Sequence, residues 1–111
     1  MATAKFIHDG DSIDYTPGSN VAAGDVVVQG DLVGVAKRDI VASTLGALAV
    51  TGVFDVPKAT GAGTAIASGA KVYWNATAQQ ATTTASGNKY LGKTVKATVD
   101  ADATVRVRLE Q

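Results

Sequence analysis

The stretch over residues 48–74, LAVTGVFDVPKATGAGTAIASGAKVYW, limits the possible folds more than any other part of the chain. Its apolar residues come in short β-branched and aromatic runs, and glycine or proline interrupts each run before a helix could form. From residue 48 to 56 the even positions Leu48, Val50, Phe54 and Val56 are apolar, while Thr51 and Asp55 take the other parity, as a half-buried strand requires. The spacing predicts one strand bent at Gly52 and ended by Pro57, which cannot donate to a ladder. A turn through Gly61 and Gly63 leads to a second strand at Lys71-Val72-Tyr73-Trp74, with Phe54 and Trp74 at the centre of the core.

The same punctuation runs through the rest of the chain. Twelve glycines in 111 residues, many Ala, Thr and Val, and few Leu and Glu predict an all-β protein: a compact small barrel or sandwich of short antiparallel strands with an extended N-terminal arm. The expected boundaries are an arm or edge strand over residues 1–20, ending at the Pro17-Gly18 turn, and one β domain over residues 21–111. VAAGDVVV from Val21 resembles IASGAKVYW from Ile66, and each is followed by a run with a central glycine, Leu32 to Ala36 and Tyr90 to Thr94. Two copies of a turn-strand-turn-strand unit packed face to face would account for the likeness. Lys37-Arg38-Asp39 reads as a solvated turn, residues 40–45 as a strand, Thr82 to Thr84 as a strand edge and residues 95–99 as a strand closed by a turn at Asp100 to Asp102. In the final run Val105, Val107 and Leu109 should face the core, with Arg106 and Arg108 outside.

Composition excludes several functions. Ten basic and ten acidic residues cancel, which argues against non-specific nucleic-acid binding. Cysteine is absent, so no disulfide, thiolate metal site or thiol nucleophile is available. No apolar run has the roughly 20 residues that cross a bilayer, and the start has no long apolar signal region. These features predict a soluble protein made in a cytoplasm.

One motif points to chemistry. GNKYLGKT over residues 87–94 matches the phosphate-loop pattern GxxxxGK[ST], in which Gly87 and Gly92 would free backbone N–H groups, Lys93 would reach the phosphates and Thr94 would hold magnesium. Such a loop must open a helix, yet VKATV follows and alternates like a strand. Too little chain remains after it for a parallel sheet with crossover helices. The acidic cluster around His8 fails the calcium-loop pattern, because Ile13 stands at a ligand position and no glutamate closes the loop. The expected readings are therefore no catalytic residue, no cofactor and no metal. Lys89, Lys93, Lys96, Arg106 and Arg108 form a candidate basic face for an acidic partner, and Phe6, Ile7, Ile13 and Tyr15 a candidate arm that adds a strand to a neighbouring subunit.

GVFDVPK, GAKVYWN, GNKYLGKT and the VRVRL ending, together with VAAGDVVV, resemble a family of small proteins of tailed phages and prophages. Its members are treated as capsid cement or decoration proteins, and have also been labelled a domain of unknown function or a predicted RecA/RadA-type recombinase. The resemblance covers nearly all of the chain from Val21 onward. It implies a structural protein of the virion that binds the exterior of the expanded head and stabilises capsomer joints. The implied partners are the major capsid protein and other copies of the chain, as dimer or trimer, with no nucleic acid and no membrane. The alternatives are a nucleotide-dependent recombination factor using residues 87–94, and a β adaptor or head-fibre base.

Overall fold

A computed structural model describes residues 3–110, so Met1, Ala2 and Gln111, the ends of the expected arm and domain, lie outside the described residues. The described residues form nine strands and no helix. They are β1 (Ser12–Tyr15), β2 (Val26–Gln29), β3 (Leu32–Ala36), β4 (Gly46–Ala49), β5 (Gly52–Pro57), β6 (Lys71–Asn75), β7 (Gln80–Thr82), β8 (Lys89–Thr94) and β9 (Thr104–Leu109). Every pairing between named strands is antiparallel. The strands make two sheets, in the orders β1-β4-β3-β2 and β5-β9-β8-β6-β7, so the all-β fold is a sandwich.

Leu91, Leu109, Val72, Val105 and Val107 of the second sheet are fully buried together with Val33 of the first. At roughly 1.5–3 kcal/mol per fully buried aliphatic side chain, this cluster is the main stabilising element. Val26, Val28, Val33 and Val35 of β2 and β3 join it, whereas Val27 and Ala36 pack on the opposite face with Ile40 and Leu48. Both faces of the first sheet are therefore covered, which is why residues 26–28 read as an unbroken apolar run rather than an alternating one.

The internal likeness in the sequence is a structural repeat. β1, β2, β3 and β4 correspond to β5, β6, β8 and β9, and both sets take the same order in their sheets. The registers agree: Ile13 faces Leu48 as Phe54 faces Val107, Val27 faces Gly34 as Val72 faces Gly92, and Ala36 faces Leu48 as Thr94 faces Val107. Small-residue turns repeat too. Gly24 N donates to Ala36 O (2.6 Å) and Ala36 N to Asp25 O (2.9 Å), as Gly69 N donates to Thr94 O (2.8 Å) and Thr94 N to Ala70 O (2.9 Å). Gly24 and Gly69 reach these positions at φ 93° and 78°, a region open to glycine. Among the described residues β7 has no counterpart in the first half.

Four local expectations change. Residues 48–56 are two strands in different sheets, because Gly52 at φ 113° turns the chain from one sheet into the other instead of bending a single strand. Residues 41–45 form a turn, with Ser43 at φ 64° and Thr44 bonded back to Val41, and the strand starts only at Gly46. Residues 95–99 alternate in sequence but form a bend and loop, since Val95 N bonds Arg106 O and Thr98 N turns away to Ile66 O. The expected turn at Asp100 is present, tied by Asp100 Oδ1 accepting from Thr64 N and Ala65 N. Trp74 is buried within the core, but Phe54, on the inward face of the edge strand β5, is only half-buried and packs on the cluster at its margin.

Candidate functional site

Alternation on the second sheet sends Val72, Thr94, Val107 and Leu109 inward and leaves Lys71, Lys93 and Arg108 outward. Register then aligns those cations: Lys71 is opposite Lys93, and Lys93 is opposite Arg108. Strands lie about 4.8 Å apart, so three like charges sit in one row across β6, β8 and β9. Directly opposed like charges destabilise a sheet. Among the described residues only Glu110 lies within ion-pair distance of the row, 3.6 Å from Lys93 Nζ, and neither Lys71 nor Arg108 has an acidic partner. The row is thus a surface that an external acid would relieve.

Beside it Tyr73 and Tyr90 meet edge to face, ring centroids 5.6 Å apart at 61°. Partial burial pushes the Tyr90 phenol above its ordinary pKa, and the Glu110 carboxylate adds to the effect. Tyr73 therefore belongs to the outer face, while its neighbour Trp74 faces the core.

The residues singled out from the sequence are placed as follows. Lys93, Arg106 and Arg108 share the outer face. Arg106 is held by a two-pronged pair with Asp55, 2.9 and 3.1 Å, so its charge is already answered. That guanidinium hydrogen bond holds the Asp55 carboxyl below the usual carboxylate range. Lys89 is likewise occupied, 2.6 Å from Asp31 in the β2–β3 turn, and Lys96 is exposed in the bend after β8. Lys71 was not singled out, although the parity set by Val72 and Trp74 already placed it outside. Phe6 and Ile7 are 78% and 73% exposed in a stretch without strand pairing. Ile13 and Tyr15 are half-buried in β1 against Ala36, Ile40 and Leu48, so this part of the expected arm is an edge strand of its own sheet.

The phosphate-loop match is strand β8 and the turn before it. A strand sends consecutive side chains to opposite faces, so Lys93 points out while Thr94 points in, whereas a phosphate site needs both to converge. Thr94 Oγ1 donates to Ala67 O (2.7 Å) and accepts from Ala70 N (3.0 Å), and Gly92 is pressed against the Arg108 carbonyl. A bend, not a helix, follows.

The fold is thus an all-β sandwich that carries a row of cations across the outer face of its second sheet. The family model for phage cement proteins matches residues 7–109, and the chain belongs to that family, whose members are structural proteins of the phage capsid. No curated protein and no solved structure matches it.

Proposed function

We propose that the chain decorates the outside of the expanded phage head and holds neighbouring capsomers together, with Lys71, Lys93 and Arg108 docking on an acidic surface of the major capsid protein. The observation that carries this reading is the alignment of three cations on adjacent strands with one carboxylate among them. Membership of a structural capsid family supports a role without catalysis. The protein would be made in the host cytoplasm and assemble on the shell afterwards, where many modest contacts on a regular lattice add up to firm attachment.

The test is co-sedimentation of purified protein with expanded heads. The double variant Lys71→Glu/Arg108→Glu should melt no lower than the unaltered protein, because both side chains are exposed and opposite charges would then face Lys93, yet bind at least ten-fold more weakly. Binding by the unaltered protein should also fall as salt rises from 50 to 500 mM, a range over which the screening length shortens to a few ångströms. Undiminished binding by the charge-reversed protein would reject this docking face.

A further inference from the structure

The repeat exposes a vacancy. In the second half β7 covers the outer edge of β6, with Ala81 buried opposite Trp74. In the first half the counterpart of β6 is β2, which ends its sheet with no strand beyond it. Val26–Gln29 carries none of the lysines or prolines that usually protect an edge, and its three valines are only half-buried. Along their strand residues the outer edges of β1 and β5 are both unpaired, and only Lys58, just past β5, makes a parallel bridge to Ala81 of β7, so the halves differ chiefly at the edge of β2.

We infer that the edge of β2 receives residues 3–9 from a second copy of this chain, as a fifth strand in the place β7 takes in the other half. Those residues are exposed, unpaired and extended enough to span about 23 Å. Their apolar residues suit the position. Phe6 and Ile7 are adjacent, so a strand would send one to each face, and the first sheet is apolar on both faces: Val26 and Val28 on one side, Val27 on the other. Beside a sheet with one wet face, one of the two would be left against water.

Sheet order decides which arm arrives. The arm enters at β1 and the free edge is β2, at opposite sides of the sheet. A strand beyond β2 lies four spacings from β1, about 19 Å, more than the roughly 17 Å that the five residues from Ser12 back to Ile7 can span, and Gly10-Asp11 form a turn that shortens the reach further. A neighbour's arm is under no such restraint. Each chain gives one strand and takes one, so two copies could exchange arms, or more copies could join head to tail in a ring where the rotation between them closes. This gives the candidate N-terminal arm a specific seat and requires no shell.

The test therefore uses the full-length protein alone. Light scattering after gel filtration should show an oligomer for the unaltered chain and a monomer for Phe6→Asp/Ile7→Asp, with the same far-ultraviolet dichroism, because within one chain neither side chain is packed. Because the chain has no cysteine, single-cysteine variants report the contact directly. Unlabelled Ile7→Cys mixed with nitrogen-15-labelled Gln29→Cys and oxidised should give mainly light–heavy disulfides by mass spectrometry. A monomeric unaltered protein, an oligomer indifferent to Phe6→Asp/Ile7→Asp, or random pairing of cysteines would overturn the inference. So would a disulfide within one chain in the Ile7→Cys/Gln29→Cys double variant. None of these results bears on whether the cation row binds heads, so the two readings fail separately.

Discussion

Gly34 and Gly92 are equivalent residues, and both lie where a strand of the repeat is crossed by a neighbouring carbonyl. A Cβ on Gly34 would come 2.9 Å from Leu48 Cβ and 3.2 Å from Ala49 O. A Cβ on Gly92 would overlap the Arg108 carbonyl oxygen and lie 3.1 Å from Leu109 Cα, where only backbone movement could relieve it. Gly92→Ala should therefore cost about 3 kcal/mol in urea denaturation and Gly34→Ala about 2, because the contacts at Gly34 are less short, although Leu48 Cβ and Ala49 O also give way only if the backbone moves. Lys58 makes the complementary case. It is 3% exposed, and its Nζ donates to the carbonyls of Ala59 and Asp102, both at 2.8 Å, fastening two loops at one end of the sandwich. Lys58→Met would keep the bulk and orphan those carbonyls, and a loss of about 2–3 kcal/mol is expected by the same measurement. Nothing in the sequence distinguishes this lysine from the exposed ones, because its burial depends on a loop 44 residues away.

Among the elements, β8 decides what the lysine-threonine pair does. Its strand geometry separates Lys93 from Thr94, so calorimetric titration of the protein with magnesium-ATP should give no binding heat, and Lys93→Ala should leave the trace unchanged. β5 and β9 are coupled by Asp55 and Arg106. Because Arg106 lowers the folded-state pKa of Asp55, the pair stabilises above the unfolded carboxylate pKa of about 4 and loses that contribution as pH falls through the lower folded value. Melting temperature between about pH 4 and pH 2 should thus fall slightly more steeply for the unaltered protein than for Asp55→Asn. The effect should be small, since the pair is half-exposed and water screens it. Strands with a clean period of two, β9 above all, were legible from residue types alone. Residues 95–99 have the same alternation without the partner strand, and alternation by itself does not provide one.

For the whole molecule, the repeat gives two sheets of one design that have diverged at their edges and outer faces. The second half keeps the larger core and the cation row, and adds β7. The first half keeps a smaller second core under β1 and an open edge at β2. If the halves are interdependent through Val33 and Val35, which join the second half's cluster, unfolding should be a single transition. Val33→Ala should then lower one midpoint by a core-sized 1–3 kcal/mol, with far-ultraviolet dichroism and tryptophan fluorescence still coinciding. Two separated transitions would show halves that fold alone.

The sequence by itself determined the all-β class, the inward and outward faces of each well-alternating strand, and the duplicated unit, because side-chain parity and glycine turns are local properties. Only the tertiary structure decided that Gly52 passes the chain between sheets, that Lys71 completes the cation row, and that β2 ends its sheet uncovered. Those outcomes depend on which strands become neighbours and in what register, which is fixed by long-range packing of the two sheets rather than by any short run of residues.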